Sequence, residues 1–218
     1  MQGLDQNQPP FRRAGYAPLV VNAGNRIVDV AREELPSLVI LEVIFNDPTG
    51  FEICKRLQAD EATSHLPIIM LSEQADDFDR VLGLEMGAED YLRKPYCARE
   101  IILKVRKILA RYRMGASPEG RIQVGELVLD RDRCEARLRG ERLSLTAIEF
   151  KLLYLMAERM GRVQTRDRLL KDVWGYDAEI NSRTLDTHIR KIRSKLKDHG
   201  CYVETAYGFG YRILDKRD

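Results

Sequence analysis

The sequence lacks long apolar runs, and this absence excludes a membrane-spanning segment. None of its apolar stretches approaches the roughly 18 residues that a membrane helix requires. Residues 1–15 also lack the apolar centre of a signal peptide. We therefore predict a cytoplasmic protein without a membrane partner. Its 218 residues, 44% hydrophobic and 32% charged, suffice for two globular domains of ordinary size.

Cysteine is scarce and scattered. The four cysteines, at positions 54, 97, 134 and 201, show no CxxC spacing. Zinc sites and disulfide frameworks both place cysteines at recurring short spacings. We therefore expect reduced cysteines that mostly pack in the interior, and no metal centre.

Net charge is also small, at +2, but it is unevenly distributed. Residues 121–218 hold 21 Lys and Arg against 16 Asp and Glu, which gives +5, whereas residues 1–120 hold 15 against 18, which gives −3. A basic second half beside an acidic first half indicates that only the second half meets nucleic acid.

The stretch 183–197 is predicted to form a basic amphipathic helix. It holds six Lys and Arg against one acid, Asp186. Such a helix is roughly 22 Å long, and its thickness fits the major groove of DNA. The alternative is an ordinary surface helix with a solvated basic face. The apolar residues recur at helical spacing on one face: Leu185, Ile189, Ile192 and Leu196.

The first half alternates strand-like and helix-like segments, which predicts a parallel sheet covered by helices. In such sheets ligands bind at the carboxyl ends of the strands. Glu42, Ser72 and Lys94 fall at such ends. The predicted strands are 18–21, 38–43, 67–71 and 91–93, and the predicted helices are 25–35, 51–57, 78–86 and 98–113.

The segments EVIFNDPTG (42–50) and GAEDYLRKPY (87–96), with Ser72 between them, resemble the receiver domain of a bacterial response regulator. The resemblance places Glu42 at the phosphoacceptor position, Ser72 at the conserved hydroxyl and Lys94 at the conserved lysine. It also makes Tyr91 the aromatic that changes rotamer on activation. A cis peptide bond is implied before Pro95.

Two departures from the receiver pattern bear on its chemistry. Glutamate replaces the usual aspartate at position 42, so the carboxylate lies one methylene further out. The family's first strand, with the two acids that help bind Mg²⁺, has no counterpart. Either Met1 is not the natural start, or the receiver is a degenerate packing module. Glu42 then either imitates the phosphorylated state or is vestigial, and we predict no Mg²⁺ site, no cofactor and no phosphorylation.

The second half begins after a linker. We predict a receiver-like domain at 1–113, a linker at 114–120 and a second domain at 121–218. Thr146 and Glu149 form a predicted capping box at the start of a helix. Strand-like pieces at 122–129, 134–138 and 141–143 precede helices near 145–160, 165–174 and 183–197 and a hairpin of 201–206 with 210–214. Three helices followed by a hairpin form an α+β winged helix-turn-helix.

The segments 145–153, 161–175, 183–196 and 204–212 closely resemble the effector domain of OmpR/PhoB-type response regulators. The resemblance implies that Thr187 and Lys191 lie near base edges and that Asp186 is structural. For His188 we favour a phosphate contact or a cap on the helix flank over a metal bond. Tyr207 stands at the hairpin tip, where many relatives have arginine. The candidate DNA-binding residues are Trp174, Arg183, Thr184, Thr187, His188, Arg190, Lys191, Arg193, Thr205 and Tyr207.

The resemblance also implies a homodimer that binds direct-repeat DNA. In the family, the face formed by helix 78–86, the strand at Tyr91 and the helix after Cys97 pairs with itself about a twofold axis. Charges of both signs suit such a self-complementary face. Its candidates are Arg80, Glu89, Asp90, Arg93, Arg99 and Glu100.

The predicted function is sequence-specific transcriptional regulation of two-component type, without enzymatic activity. Double-stranded DNA is the main partner, and a sensor histidine kinase and RNA polymerase are implied as well. One alternative is a phosphorylatable receiver that accepts a phosphoryl group from a sensor kinase. Another is an adaptor module without a DNA target, against which the density of basic residues in 183–197 argues.

Overall fold

The structure is a computed structural model that describes residues 8–43, 48–73, 77–113, 120–175 and 182–215. Most of the predicted linker, at 114–119, lies outside these ranges. No helix within the described ranges is long and apolar enough to cross a membrane.

The first half contains a parallel three-stranded sheet in the order β1-β2-β3, with helices on both faces. The register pairs Val39 with Ile68 and Ile69 with Asp90. The peptide bond between Lys94 and Pro95 is cis, as expected. The elements are α1 Gln8–Arg13, α2 Ile27–Glu34, β1 Val39–Glu42, α3 Gly50–Ala59, β2 Ile68–Ser72, α4 Asp77–Glu85, β3 Asp90–Arg93 and α5 Ala98–Arg113.

The predicted strand at 18–21 is wrong, because residues 16–23 adopt no regular structure. Leu19 is 63% exposed, so this apolar run is not buried as an inner strand would be. The sheet is held instead by two apolar clusters, one on each face. Ile53 and Met70 belong to the cluster under α2 and α3, and Ile69 and Ile101 to the cluster under α5.

The second half has two small sheets around three helices. The four-stranded sheet has the order β4-β5-β6-β7, and the three-stranded sheet has the order β8-β10-β9. The single strand predicted at 122–129 is two strands joined by a turn at Gly125, whose φ is +57°. The elements are β4 Arg121–Val124, β5 Leu127–Asp130, β6 Glu135–Leu138, β7 Glu141–Leu143, α6 Ala147–Glu158, β8 Gln164–Thr165, α7 Arg166–Trp174, α8 Ser182–Leu196, β9 Val203–Ala206 and β10 Gly210–Ile213.

This half has a hydrophobic core of its own. All buried members of its cluster lie between Val124 and Ile213. The predicted capping box is present, because the Thr146 hydroxyl accepts from the Glu149 amide and the Glu149 carboxylate accepts from the Thr146 amide. The structure therefore confirms the predicted fold class: a receiver-like α/β half followed by a winged helix-turn-helix.

Candidate nucleic-acid interface

The carboxyl ends of the receiver strands bring Glu42 and Lys94 together. The Lys94 ammonium donates to Glu42 Oε1 at 3.0 Å, and Glu73 Oε1 lies 3.6 Å from the same nitrogen. Partial burial lowers the pKa of Lys94, but the hydrogen bond and charge of Glu42 outweigh burial, so the pKa lies above its ordinary value. Ser72 is buried at the end of β2.

These residues do not fit Mg²⁺. In the part of the chain that the structure describes, no group of three or more His, Cys, Asp and Glu side chains could hold a metal ion. Mg²⁺ prefers octahedral coordination by several oxygens. Glu42 and Glu73 instead contact the Lys94 ammonium. The arrangement is therefore an ion pair that joins β1 to the segment after β3.

Tyr91 lies inward. Only 6% of its surface is exposed, and a Cβ built on Gly83 would lie 2.9 Å from ring carbon Cδ2. The ring therefore packs beneath α4, and glycine at position 83 leaves room for it.

The basic helix α8 presents three faces. The predicted apolar face is buried, with Leu185, Ile192 and Leu196 at 0% exposure. The face opposite the core carries Arg183 and Arg190, both exposed. The third face, which the sequence analysis did not separate from the second, meets the receiver half.

The third face holds Thr184, His188 and Lys191, which we call the covered flank. His188 is fully buried, and its Nε2 lies 3.0 Å from the carbonyl oxygen of Leu84 in α4, which requires a proton on Nε2. Lys191 Nζ donates to the carbonyl of Glu85 at 2.6 Å. These carbonyls belong to the last turn of α4, where a helix carries partial negative charge.

His188 is held neutral by its surroundings. Burial lowers its pKa to about 4, and the positive charges of Lys191 and Lys195 act in the same direction. The charge of Glu149 and the hydrogen bond to Leu84 oppose this shift without cancelling it.

Three polar atoms on the covered flank and on the adjoining Trp174 have no partner among the residues that the structure describes. They are Thr184 Oγ1, His188 Nδ1 and the indole nitrogen Nε1 of Trp174. Trp174 lies at the end of α7, with its ring centroid 5.5 Å from that of His188. All three residues were predicted to contact DNA. In this arrangement these donors and acceptors are removed from water and meet no partner among the described residues.

A second contact joins the two halves at Glu89. Its carboxylate accepts from Lys151 Nζ of α6 at 2.8 Å, and the Glu89 side chain is 1% exposed. The same ammonium donates to the Val173 carbonyl. Glu89, predicted on the dimer face, therefore faces the second half of its own chain.

The other dimer-face candidates lie along β3 and the start of α5. Asp90 pairs with Lys104 at 2.6 Å. Arg93, Arg99 and Glu100 are exposed, and Arg80 is half-buried. A crevice of about 580 Å³ runs between this face and Trp174. The dimer-face assignment stays a prediction.

The hairpin β9–β10 is fixed to α8 by two sets of hydrogen bonds. The Arg193 guanidinium donates to the Val203 carbonyl at 2.9 and 2.7 Å and to Thr205 Oγ1 at 2.8 Å. The Tyr211 hydroxyl donates to Asp186 Oδ1 at 2.6 Å, which agrees with a structural role for Asp186. Arg193 and Thr205, both DNA-binding candidates, thus contact each other.

The remaining DNA-binding candidates lie on α8 and at the hairpin tip. Thr187 is half-buried, and its hydroxyl donates to the Arg183 carbonyl at 3.0 Å. Tyr207 is 89% exposed and the neighbouring Phe209 is 70% exposed. Whether each candidate contacts DNA stays a prediction.

Sequence reasoning missed Lys151 and the α4 carbonyls. Backbone carbonyls leave no sequence signal. Lys151 could have been suspected, because it is a single cation in a helix that is otherwise apolar around it, FKLLYLM.

Comparison with known proteins matches both halves. Residues 7–106 match the response regulator receiver domain, and residues 140–213 match the family described as transcriptional regulatory protein, C terminal. The alkaline phosphatase synthesis transcriptional regulatory protein PhoP of Bacillus subtilis (strain 168) is 36% identical over 218 residues, which cover 95% of this chain and 90% of PhoP. The chain belongs to the OmpR/PhoB-type response regulators.

A solved structure of similar fold covers nearly the whole of this response regulator. A mutant of RitR matches with a TM-score of 0.73 and 21% identity, covering 97% of this chain and 94% of that chain. DrrB of Thermotoga maritima, an OmpR/PhoB homologue, matches with 28% identity and a TM-score of 0.45, covering 97% and 93%. The two domain matches and the similarity to PhoP confirm the predicted two-component transcriptional regulator with a DNA-binding domain.

Proposed function

We propose that this regulator binds direct-repeat DNA as a dimer after its two halves separate, and that the arrangement described above is the form that does not bind. The observation that carries the proposal is the burial of the covered flank against α4. His188 and Lys191 cannot donate to the α4 carbonyls and to DNA at the same time. The receiver and DNA therefore compete for one surface.

After separation, Thr187 and Lys191 read bases, and Arg183, Arg190 and His188 contact phosphates. Lysine reads guanine O6 and N7 as a point donor, with less angular selectivity than arginine. Arg193 and Thr205 hold the hairpin at a fixed position beside the groove. Tyr207, exposed at the tip, replaces the cation that relatives use there.

The same separation frees the dimer face. Glu89 pairs with Lys151 when the two halves are in contact, which we call the closed arrangement. It is then not available to a second receiver. Two effector halves held by paired receivers would bind half-sites about one helical turn apart. Recruitment of RNA polymerase follows DNA binding in this proposal.

The receiver of this chain acts without phosphorylation or any other enzymatic step. The Glu42 carboxylate forms an ion pair with Lys94, and the described residues near Glu42 do not fit Mg²⁺. The rival function, a receiver that accepts a phosphoryl group from a sensor histidine kinase, requires a metal site that includes residues beyond these.

The proposal is tested by measuring affinity for a single half-site with the full chain and with residues 121–218. The shorter protein has a complete core, so it is expected to fold alone. We expect it to bind the half-site more tightly, since no receiver competes. A single half-site removes the contribution of dimerisation. Equal affinities would contradict competition, and no binding by either protein would contradict DNA recognition.

A further inference from the structure

We infer that His188 makes the contact between the two halves sensitive to protons: neutral, it holds the recognition helix against α4, and protonated, it releases that helix. The inference rests on the proposed competition between the receiver and DNA. Its starting point is geometric. His188 is fully buried between α8, α4 and Trp174, and it donates one hydrogen bond across the boundary.

A second proton on the His188 ring would find no acceptor among the described residues of the closed arrangement. Nε2 already donates to the Leu84 carbonyl, so an added proton must go to Nδ1. Nδ1 has no partner among the described residues. The nearby polar atom of Trp174, Nε1, is itself a donor and cannot accept a proton. An imidazolium here would be a buried charge with one unsatisfied N–H.

The surrounding charges also disfavour protonation. Lys191 and Lys195 on α8 act against a positive charge on His188, and Glu149 on α6 acts in its favour. Glu149 is already paired with Lys195 at 2.6 Å. The pair of Glu89 and Lys151 is neutral overall, α4 contributes the Leu84 carbonyl to His188, and α7 contributes the Trp174 ring.

In the open protein the same side chain is exposed on the DNA-binding face. There a proton on Nδ1 is solvated, and an imidazolium is a better phosphate ligand than neutral imidazole. Acid therefore weakens closure and strengthens the competing DNA contact. Both effects move the protein toward the bound form.

The sign and size follow from proton linkage. The pKa of His188 is about 4 when closed, against the ordinary value of 6.5 when exposed. The contribution of neutral His188 to closure is therefore fully present well above pH 6.5 and is lost progressively as the pH falls through that value. Below about pH 4 no more is lost, because His188 is protonated in both the closed and the open protein. Between pH 7.5 and 5.5 the closing constant should fall about tenfold.

The first test is a direct titration of the full chain. The sequence contains three histidines. Their ring signals can be followed by NMR and assigned with the variants His65→Gln and His199→Gln. We expect the third signal, that of His188, to titrate well below pH 6.5. A midpoint near 6.5 would overturn the inference whether or not the protein binds DNA.

The second test compares affinity for a half-site at pH 7.5 and 5.5. The full chain and the matched control His65→Gln should each gain about tenfold at the lower pH. His188→Gln should gain much less, because the amide can still donate to Leu84 but does not titrate. An equal gain in His188→Gln would overturn the inference.

The single Trp174 gives a readout of opening that does not require DNA. In a Glu89→Gln background, where closure is weakened, its emission maximum should move to longer wavelength between pH 7.5 and 5.5. With His188→Gln added, the shift should disappear. A shift in the absence of any DNA binding would support the proton-sensitive contact and contradict the proposed function, and no shift in the Glu89→Gln protein would contradict the contact.

Discussion

Substituting Glu89→Gln should open the protein and tighten DNA binding. The Glu89 carboxylate accepts a hydrogen bond from Lys151 Nζ at 2.8 Å, and only 1% of the Glu89 side chain is exposed. Solvent therefore screens the Glu89 end of the ion pair very little. A hydrogen bond between charged groups contributes about 1.5–3 kcal/mol. Lys151 keeps 18% exposure, and a glutamine amide oxygen can still accept from its ammonium. We therefore take the lower end, about 1.5 kcal/mol, which is about tenfold in an equilibrium constant.

The measurement is fluorescence anisotropy of a labelled half-site with the full chain. While the closed form predominates, a tenfold weaker closure gives about tenfold tighter apparent binding. Glu61→Gln is the matched control, since it removes the same charge from an exposed receiver position. Unchanged affinity together with unchanged Trp174 emission would refute the role of the ion pair. A red-shifted emission without a gain in affinity would refute competition between receiver and DNA.

Four further predictions concern the effector half, the receiver site and the dimer face. The affinity of residues 121–218 for DNA should fall as the salt concentration rises. In a plot of log affinity against log salt concentration, each neutralised phosphate should contribute about −0.9 to the slope. A flat salt titration would contradict the proposed interface. In that segment Lys191→Ala should weaken binding to the best site by about 1–3 kcal/mol and relax base preference. Arg193→Ala should weaken binding to all sequences alike, because it detaches the hairpin. Selection from a random DNA pool would distinguish the two, and the opposite pattern would reverse the roles. Incubation with acetyl phosphate and Mg²⁺ should add no mass to the full chain, and a stable phosphoryl group on Glu42 would revive the phosphotransfer function. Reversing the charge of Asp90 should reduce dimerisation on direct-repeat DNA, as seen by sedimentation, and no change would count against that face.

The sequence predicted elements where the pattern was local. Helix α5 occurs at the predicted residues 98–113, and the capping box at Thr146 and Glu149 is present. Both elements are determined by the spacing of residues close together in the chain, and this spacing can be read from one sequence. The strand predicted at 18–21 failed because a strand also requires a neighbour, and four apolar residues do not supply one.

The candidate site was predicted in part for a similar reason. Helical spacing identified the basic helix and its buried face. It could not divide the polar surface of α8 into an exposed face and the covered flank, because that division is made by the receiver. Nor could it show that Arg193 faces the hairpin, since its acceptors are the Val203 carbonyl and a hydroxyl ten or more residues away.

The covered flank explains why closure can be reversed by small changes. Two α4 carbonyls satisfy His188 and Lys191, but Thr184 Oγ1, His188 Nδ1 and Trp174 Nε1 lose water and gain no partner among the described residues. Each such atom costs about 1–3 kcal/mol, which offsets part of the gain from the ion pair and the buried surface. Phosphate oxygens and water in a DNA complex can satisfy the same atoms. Moving any two-state protein from 1% to 99% open requires about 5.5 kcal/mol of differential affinity. The incomplete contact weakens closure, so one proton or one lost ion pair can change the populations measurably.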